Sequence, residues 1–303
     1  MANMEFQQYL EDFSLGITRV FEDELQMHER TYTAFLREET VSRWFDTEWL
    51  VSGLGIMPEK GIGAAFNTDR LIKGPTKQHA LQAWGLSVSI DYEAIEFDIY
   101  GIFKGLPEEL ARSSTDRYNV VGHSLLNNSF SAPSAAYQIY SGENMISTSH
   151  TRLDGGTWSN QVAGNPGLSY LAYQQARILL LKMVNERGSF RKMTPRLIIT
   201  SVEQDWIANE LVMSRARPDQ SNPAVYNSMT SMNTYSSPFL TTAQYWWLET
   251  DKRQVNFGLR LGRKPTMERD SDIRTRALTM TAYCSFSTRV FDTRGLVGST
   301  GGA

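Results

Sequence analysis

The chain has 303 residues, with 30 Lys and Arg against 33 Asp and Glu, which gives a formal charge of −3. This balance excludes a strongly basic nucleic-acid binder, and a hydrophobic content of 41% excludes a chain that is disordered throughout. Cys284 is the one cysteine, so a secreted disulfide scaffold is excluded. The acidic N-terminus does not resemble a signal peptide, and the apolar run 178–181 is too short to span a membrane. About two domains are expected from the length.

The first part of the chain predicts a helix and then a long hairpin. Apolar residues recur at three- and four-residue spacing across 5–40, which favours a helix. The stretches 54–66 and 77–90 lack this period, and the segment 67–75 that joins them is rich in turn residues, which predicts a β-hairpin. Few apolar residues near its tip are available for docking on its own domain, and an isolated hairpin is marginally stable in water. We therefore expect a neighbouring molecule to stabilise the hairpin.

A long, interrupted helix is predicted next, over 91–103 and 107–125. Asp91 is suited to the N-cap of its first part, and Pro107 to the first turn of its second part. The helix is expected to end at 127–129, where Asn and Ser side chains compete for the backbone hydrogen bonds. The same three residues match a glycosylation acceptor, but without a secretion signal we interpret them only as a helix end.

The second half of the chain mixes helices and strands, which favours an α+β fold. The sequence predicts a helix over 170–186 and a buried strand over 196–200. Ser201 and Gln204 form a capping-box pattern that predicts another helix as far as residue 213. The polar segment 215–240 is too long for an ordinary connection and indicates a functional or interface loop. Alternating apolar residues predict long strands at 255–261 and 278–286.

No pattern in the sequence indicates a metal or cofactor site. The four histidines lie in four separate segments, without the spacing of a helical zinc pair: His28, His79, His123 and His150. Gly53 and Gly55 begin a glycine-rich pattern, but Pro58 occupies the place of its third glycine. We therefore predict no metal-binding and no cofactor-binding residues.

No pattern indicates a catalytic site either. Ser124 lacks the second glycine of a nucleophile elbow and lies within a predicted helix, where its hydroxyl is expected to bond back to a carbonyl. Cys284 lies on the apolar side of a predicted strand, where we expect it to pack as a small hydrophobic residue. No pair of carboxylates stands out as an acid and base couple. We predict no catalytic residues and no enzyme activity.

An ordered series of segments resembles the major capsid proteins of tailed bacteriophages, which have the Hong Kong 97-type fold, in the variant of Mu-like major head proteins. The stretch from Gly74 to Glu93, which continues through 96–101, is similar to the return strand of the extended loop and the start of the spine helix. The stretch 125–130 resembles the end of that helix. Further similarity follows in order at 148–160, 195–199, 237–240, 246–248 and 282–299. The resemblance covers about residues 30–300.

This resemblance implies a division of the chain into four parts. They are an N-terminal arm (1–52), an extended loop (53–85), a peripheral domain with the spine helix (86–140 and 255–303), and an axial domain (141–254) with an axial loop (215–240). The resemblance also implies self-assembly into hexamers and pentamers of an icosahedral shell, in a virion that is assembled in the bacterial cytoplasm. Scaffolding, portal and decoration proteins are expected partners, with packaged double-stranded DNA contacted non-specifically and no membrane. Little chain precedes the extended loop, so a separate scaffolding protein, or none, is expected.

Some relatives cross-link a lysine of the extended loop to an asparagine of the peripheral domain. Lys60, Lys73 and Lys77 are available in this chain, but the C-terminal strands hold only Asn256 and nothing marks a catalytic glutamate. We therefore do not expect cross-linking.

The leading hypothesis is thus a shell subunit that encloses packaged DNA. A second hypothesis keeps the fold but makes the chain an encapsulin-type compartment that stores an enzyme cargo, and the contents of purified particles distinguish the two. A third is a soluble enzyme without a recognisable motif, which a stable monomer would favour.

Overall fold

The computed structural model describes residues 16–91, 94, 97, 105–219, 225–229, 231–272 and 277–302. It is a mixed α+β structure, as predicted. Its regular elements are, in chain order, α1 (16–27), β1 (Arg37–Thr40), β2 (Phe45–Val51), β3 (Lys73–Ala80), β4 (Gln82–Asp91), α2 (Leu106–Asn127), β5 (His150–Thr151), β6 (Thr157–Trp158), α3 (Tyr170–Leu181), β7 (Leu197–Ser201), α4 (Asp205–Met213), β8 (Asn233–Ser237), β9 (Trp246–Glu249), β10 (Asn256–Leu261), β11 (Thr266–Asp272), β12 (Ala277–Asp292) and β13 (Leu296–Ser299).

The N-terminal segment is less helical than its period predicts. Residues 1–15 lie outside the described residues, α1 ends at residue 27, and only a short 3-10 helix, Thr31–Ala34, follows. The prediction of a helix up to residue 40 is wrong, because β1 pairs in parallel with β10 in register Arg37 to Gly258. Tertiary pairing therefore overrides the helical period in this segment.

A long strand organises the larger sheet. β12 has 16 residues and pairs antiparallel with β4, with β11 and with β10, while β1 adds to the outer side of β10. The strands predicted at 255–261 and 278–286 are confirmed as β10 and as part of β12. The predicted second arm of the hairpin, 77–90, is divided between β3 and β4, and β4 belongs to this sheet.

Helix α2 packs across the larger sheet, where the ring centroid of Tyr118 lies 3.9 Å from that of Phe286. Pro107 lies in its first turn, and Asn128 caps its end, as the sequence predicts. Gly122 permits a close approach, since a Cβ at that position would lie 2.7 Å from Cβ of Tyr32. Most of the predicted first part of this helix, 91–103, lies outside the described residues.

The smaller sheet has the strand order β13-β9-β7-β8, and its β7 confirms the strand predicted at 196–200. The predicted capping box does not form, because the Ser201 hydroxyl donates to the Ala243 carbonyl (2.8 Å) and a short 3-10 helix precedes α4. The segment 215–240, predicted as a loop, contains strand β8. Strand β13 joins this sheet by pairing with β9, although it follows directly after the strands of the larger sheet.

Strand β9 carries two neighbouring tryptophans, and each of them packs into a different hydrophobic core. Trp247 packs with residues of α2 and the larger sheet, whereas Trp246 packs with residues of α3 and α4. Because successive side chains of a strand point to opposite faces, one strand contributes to both cores. The smaller sheet is therefore held firmly against the larger one.

Candidate assembly surface

The hairpin formed by β2 and β3 is the most exposed part of the described chain. Its strands pair from Phe45 opposite Ala80 to Val51 opposite Lys73. Ser52 closes the ladder, because its N–H donates to the Ile72 carbonyl (2.9 Å) and its hydroxyl accepts from the Ile72 N–H (2.9 Å). Residues 53–71, here called the tip loop, contain no strand or helix. The first arm therefore lies earlier in the chain than the predicted 54–66.

Large apolar side chains cover the tip loop. Met57 is 91% exposed, and five others are exposed as well: Leu54, Ile56, Ile62, Phe66 and Leu71. The expectation of an apolar-poor hairpin tip is therefore wrong, although these residues do not dock on their own domain. Monomeric proteins rarely leave so many large apolar residues together in water, so this arrangement indicates an interaction surface.

A charged cluster fixes the base of the hairpin. The Glu48 carboxylate of β2 accepts hydrogen bonds from Nη2 of Arg260 (2.5 Å) and Nη2 of Arg289 (2.8 Å). Both arginines lie on the larger sheet and are largely buried, and Glu39 and Asp46 complete the cluster. Charge-assisted hydrogen bonds to two different strands define the direction in which the hairpin leaves the sheet. The hairpin is thus firmly held at its base while its tip loop is exposed.

Two titratable residues of β3 strengthen this base. The ammonium group of Lys77 donates to the carbonyls of Val290 (2.7 Å) and Gln138, and burial lowers its pKa to about 8. Burial, with a contribution from nearby Lys77, lowers the pKa of His79 to about 4, so that its ring is neutral at neutral pH. A neutral His79 leaves the charges of Glu48 and the arginines to pair with each other.

The hairpin also touches the loop that follows α3. Arg187 donates to the carboxylate of Asp69 (3.1 Å) and to the carbonyls of Gly53 (3.3 Å) and Arg70. Backbone N–H groups of Gly55 and Arg70, together with Arg187, lower the pKa of Asp69. The start and the end of the tip loop are therefore tied to the same subunit, and its apolar middle is not.

The lysines considered for cross-linking have different surroundings. Nζ of Lys60 lies 4.1 Å above the ring of Phe66, and Nζ of Lys73 lies 4.2 Å above the ring of Trp49. Lys77 is bound to backbone carbonyls at the hairpin base. Asn256 begins β10. Among the contacts of the described residues, none joins these three lysines to Asn256, and the absence of cross-linking stays a prediction.

A second apolar surface lies on the smaller sheet. Helices α3 and α4 pack on the same face of this sheet, since both contribute to one core with Ile198 and Leu248. Trp206 is 81% exposed on α4, and further large apolar residues are exposed on or beside the two helices: Leu171, Ile178, Phe190, Val202, Ile207 and Met213. We call these seven residues the helical-layer surface. The sequence shows these residues, but only the packing reveals that they face outward.

The residues considered for chemistry have structural roles. His123 is buried in α2, with Nδ1 2.7 Å from the Asn119 carbonyl and Nε2 2.9 Å from the Tyr235 hydroxyl. The Ser124 hydroxyl donates to the Val121 carbonyl (2.7 Å), as its helical position predicts. Cys284 is buried on β12, where burial raises its pKa. Within the described residues, no group of three or more His, Cys, Asp or Glu side chains could hold a metal ion.

Comparison with protein families gives a match to the phage capsid protein family over residues 74–299. This match covers about three quarters of the chain. A search of curated proteins finds no match. Among the described helices, none combines the length and the apolar character that a membrane span requires.

Solved structures with a similar fold come from phage shells and from a bacterial compartment. A structure from Mycobacterium phage Patience gives a TM-score of 0.55 at 12% identity, covering 95% of this chain and 85% of that chain. The procapsid of bacteriophage JBD30 gives 0.52 at 13% identity, covering 96% and 75%. The holo-SrpI encapsulin complex from Synechococcus elongatus gives 0.53 at 9% identity, covering 90% and 88%. At these identities the likeness concerns the fold alone.

TM-scores above 0.5 over about nine tenths of the chain show that it shares the fold of these shell structures, and the family match is to phage capsid proteins. The chain therefore belongs to the phage capsid protein family and is a tailed-phage major capsid protein with the Hong Kong 97-type fold.

Proposed function

We propose that this major capsid protein forms hexamers and pentamers of an icosahedral shell that encloses double-stranded DNA. The observation that carries the proposal is the hairpin, whose base is held by buried charges and whose tip loop exposes large apolar residues. A rigid base with an apolar end is suited to binding an adjacent copy. Burial of the tip loop then stabilises the assembled state at about 25 cal/mol for each Å² of apolar surface.

The proposed parts of the subunit follow its two sheets. The larger sheet with α2 is the peripheral domain, the smaller sheet with α3 and α4 is the axial domain, and the hairpin is the extended loop. The segment 215–240 is proposed as the axial loop, with β8 at its end. The resemblance assigns residues 296–299 to the peripheral domain. Because they pair with β9 as strand β13, we propose that they belong to the axial domain.

Scaffolding, portal and decoration proteins are proposed as further partners. Packaged DNA is proposed to be contacted non-specifically. A formal charge of −3 supports weak contact, since tight binding would require many Lys and Arg side chains on phosphates.

The role of the tip loop is tested by Met57→Ser, with Met27→Ser as the matched control. Both methionines are strongly exposed, at 91% and 79%, but Met27 lies on α1. Burial of a methionine contributes about 1.5–3 kcal/mol, so we expect Met57→Ser to raise the concentration needed for shell assembly at least about tenfold. Light scattering against protein concentration measures this threshold.

The control should assemble at the wild-type concentration, and both variants should keep the wild-type circular dichroism spectrum. Normal assembly of Met57→Ser, or an equal loss in both variants, would contradict the proposed contact.

The encapsulin-type function is the alternative, because one of the similar structures is an encapsulin complex, but the family match does not favour it. Purified particles from infected cells distinguish the two. Nuclease-protected double-stranded DNA is expected inside a phage head. A folded enzyme cargo without DNA would contradict the proposed function and support the encapsulin-type function.

A further inference from the structure

A buried histidine lies where the chain passes from the larger sheet to the smaller one. His150, in β5, has no exposed surface. On one side of its segment, the N–H of Tyr140 donates to the Phe291 carbonyl of β12 (3.1 Å). On the other side, the N–H of Gly298 in β13 donates to the Asn160 carbonyl (3.0 Å). His150 therefore belongs to the connection between the two sheets.

The orientation of the Asn160 amide is fixed by backbone groups. Its Oδ1 accepts from the Ser147 N–H (2.9 Å), and its Nδ2 donates to the Met145 carbonyl (2.8 Å). A backbone N–H can only donate and a carbonyl can only accept, so the amide cannot be turned around. Oδ1 of Asn160 also lies 2.8 Å from Nε2 of His150. This ring nitrogen therefore carries a hydrogen.

The other ring nitrogen faces a carboxylate. Nδ1 of His150 lies 3.1 Å from Oε2 of Glu143. The same carboxyl group accepts from the hydroxyls of Ser141 (3.0 Å) and Thr151 (2.9 Å). Burial raises the pKa of Glu143, but these hydrogen bonds, together with the contact to His150, lower it on balance. An ionised carboxylate only accepts hydrogen bonds. Nδ1 of His150 must then carry a hydrogen as well.

The surrounding charges favour a cation at this position. Glu143 and Asp292 are the acids whose charges raise the pKa of His150. Asp292 is itself paired with Arg294, whose Nη1 lies 3.0 Å from Oδ2 of Asp292 and also contacts Glu186. The His150 ring also stacks on Trp158 with centroids 4.3 Å apart, and the same indole binds the guanidinium of Arg294 at 4.7 Å, so its aromatic ring attracts cations.

Burial is the largest effect on His150 and lowers its pKa on balance, although the hydrogen bonds to Asn160 and Glu143 and the charges of Glu143 and Asp292 raise it. The geometry argues against that balance, because a neutral ring would place a lone pair against either Oδ1 of Asn160 or the Glu143 carboxylate. Two opposed acceptors at hydrogen-bond distance are satisfied only by the protonated ring.

We infer that His150 is an imidazolium ion, and that its extra proton locks the connection between the two sheets. The lock consists of Glu143, His150 and Asn160. Loss of the proton breaks the hydrogen bond to Glu143 and leaves that carboxylate facing a lone pair. The extra proton therefore stabilises the closed form of this segment, and the equilibrium between its closed and open forms depends on pH.

The sign of this response follows from proton linkage. When the segment opens, His150 returns to its ordinary pKa of about 6.5 and releases the proton above that pH. The equilibrium constant for opening therefore rises by up to about tenfold for each pH unit above 6.5, until the closed state also loses its proton. Below pH 6.5 His150 is protonated in both the open and the closed state, so the opening equilibrium no longer changes with pH.

The protonation state is tested directly by nitrogen NMR of the full chain with ¹⁵N-labelled histidine. His123 is an internal control with no exposed surface, because it faces one carbonyl and one hydroxyl that can donate, which suits a neutral ring. At pH 7 we expect hydrogens on both ring nitrogens of His150 and on only one of His123. A neutral His150 ring at pH 7 would overturn the inference, whatever the behaviour of any variant.

The coupling to opening is tested with Glu143→Gln and hydrogen exchange. The glutamine amide can donate to Nδ1 of a neutral His150, so the variant keeps the contact without the extra proton. After correction for the chemical exchange rate, opening of residues 141–161 should rise about tenfold between pH 7 and 8 in the wild type and less than about twofold in the variant. Equal pH dependence in both proteins would overturn the lock.

Discussion

At the scale of single residues, Glu249 departs most from the rule that acidic side chains are exposed or paired. Its carboxyl group is buried at the end of β9, beside Leu197 and Leu296 of the paired strands, and neither oxygen has a hydrogen-bond partner among the described residues. Burial raises the pKa of Glu249 well above its ordinary value. The side chain is therefore a neutral acid over part of the pH range in which an exposed glutamate is charged.

This makes the stability of the subunit depend on pH. The folded state holds a proton that the unfolded state releases above about pH 4.3, so the contribution of Glu249 is fully present below that pH and declines as pH rises to the raised pKa. We expect the free energy of unfolding to fall by up to about 1.4 kcal/mol per pH unit in that window. Urea unfolding of dissociated subunits measures it.

Glu249→Gln removes the ionisable group and should flatten this part of the profile, whereas Glu210→Gln, on the exposed side of α4, should leave the profile unchanged. A Glu249→Gln profile with the wild-type slope would show that another group titrates.

At the scale of elements, the hairpin depends on a few charges at its base. Glu48 connects β2 to β10 and β12 through Arg260 and Arg289, and the three side chains are largely buried. Glu39 lies farther from the same arginines, at 3.9 Å and 3.5 Å, and is more exposed. The two acids therefore offer a matched comparison of a hydrogen-bonded partner and a more distant one.

We expect Glu48→Gln to destabilise the subunit by about 3–5 kcal/mol, because it leaves two buried arginines without their main partner. The same change at Glu39 should cost less, about 1 kcal/mol, because Oε2 of Glu39 lies at 3.9 Å and 3.5 Å from the two arginines and hydrogen-bonds to neither. Urea denaturation midpoints measure both. Similar midpoints for the two variants would mean that the cluster does not hold the hairpin.

At the scale of the whole molecule, two apolar surfaces lie at separate places: the tip loop and the helical-layer surface. An interface that joins copies head to tail requires two different patches on each subunit, and such contacts form a ring when the rotation between successive copies closes. The arrangement of apolar surfaces is thus compatible with ring-shaped capsomers. It also explains why the subunit exposes large apolar residues that a monomer would bury.

Trp206 tests the helical-layer surface. Buried tryptophans are frequent hot spots of interfaces, with losses of about 2 kcal/mol or more on truncation, so Trp206→Ser should weaken assembly more than about tenfold. The stability of the dissociated subunit should change by less than about 0.5 kcal/mol, because the side chain is exposed. Assembly by light scattering and urea unfolding separate the two effects.

Val120→Ser, on the exposed side of α2, is the control and should leave assembly unchanged. Loss of subunit stability in Trp206→Ser, or normal assembly, would contradict an interface at this surface.

Elements with a strong local signal could be predicted from the sequence. The second part of the long helix starts near Pro107 and ends at Asn128, and the long alternating strand around Cys284 is present. Periodicity, caps and turn residues act over a few residues, so they can be seen in the chain itself. The ordered resemblance to phage capsid proteins is confirmed by the family match.

Only the tertiary structure decided the features that depend on distant partners. Strand β1 replaces a predicted helix because it pairs with β10, and β13 enters the smaller sheet because it pairs with β9. The apolar residues of the tip loop are visible in the sequence, but their exposure is not. Likewise, the sequence by itself determined that four histidines exist, whereas the two acceptors that face His150 come from Glu143 and Asn160 across folded loops. Hydrogen bonding and burial are properties of these three-dimensional neighbours, and local sequence does not contain them.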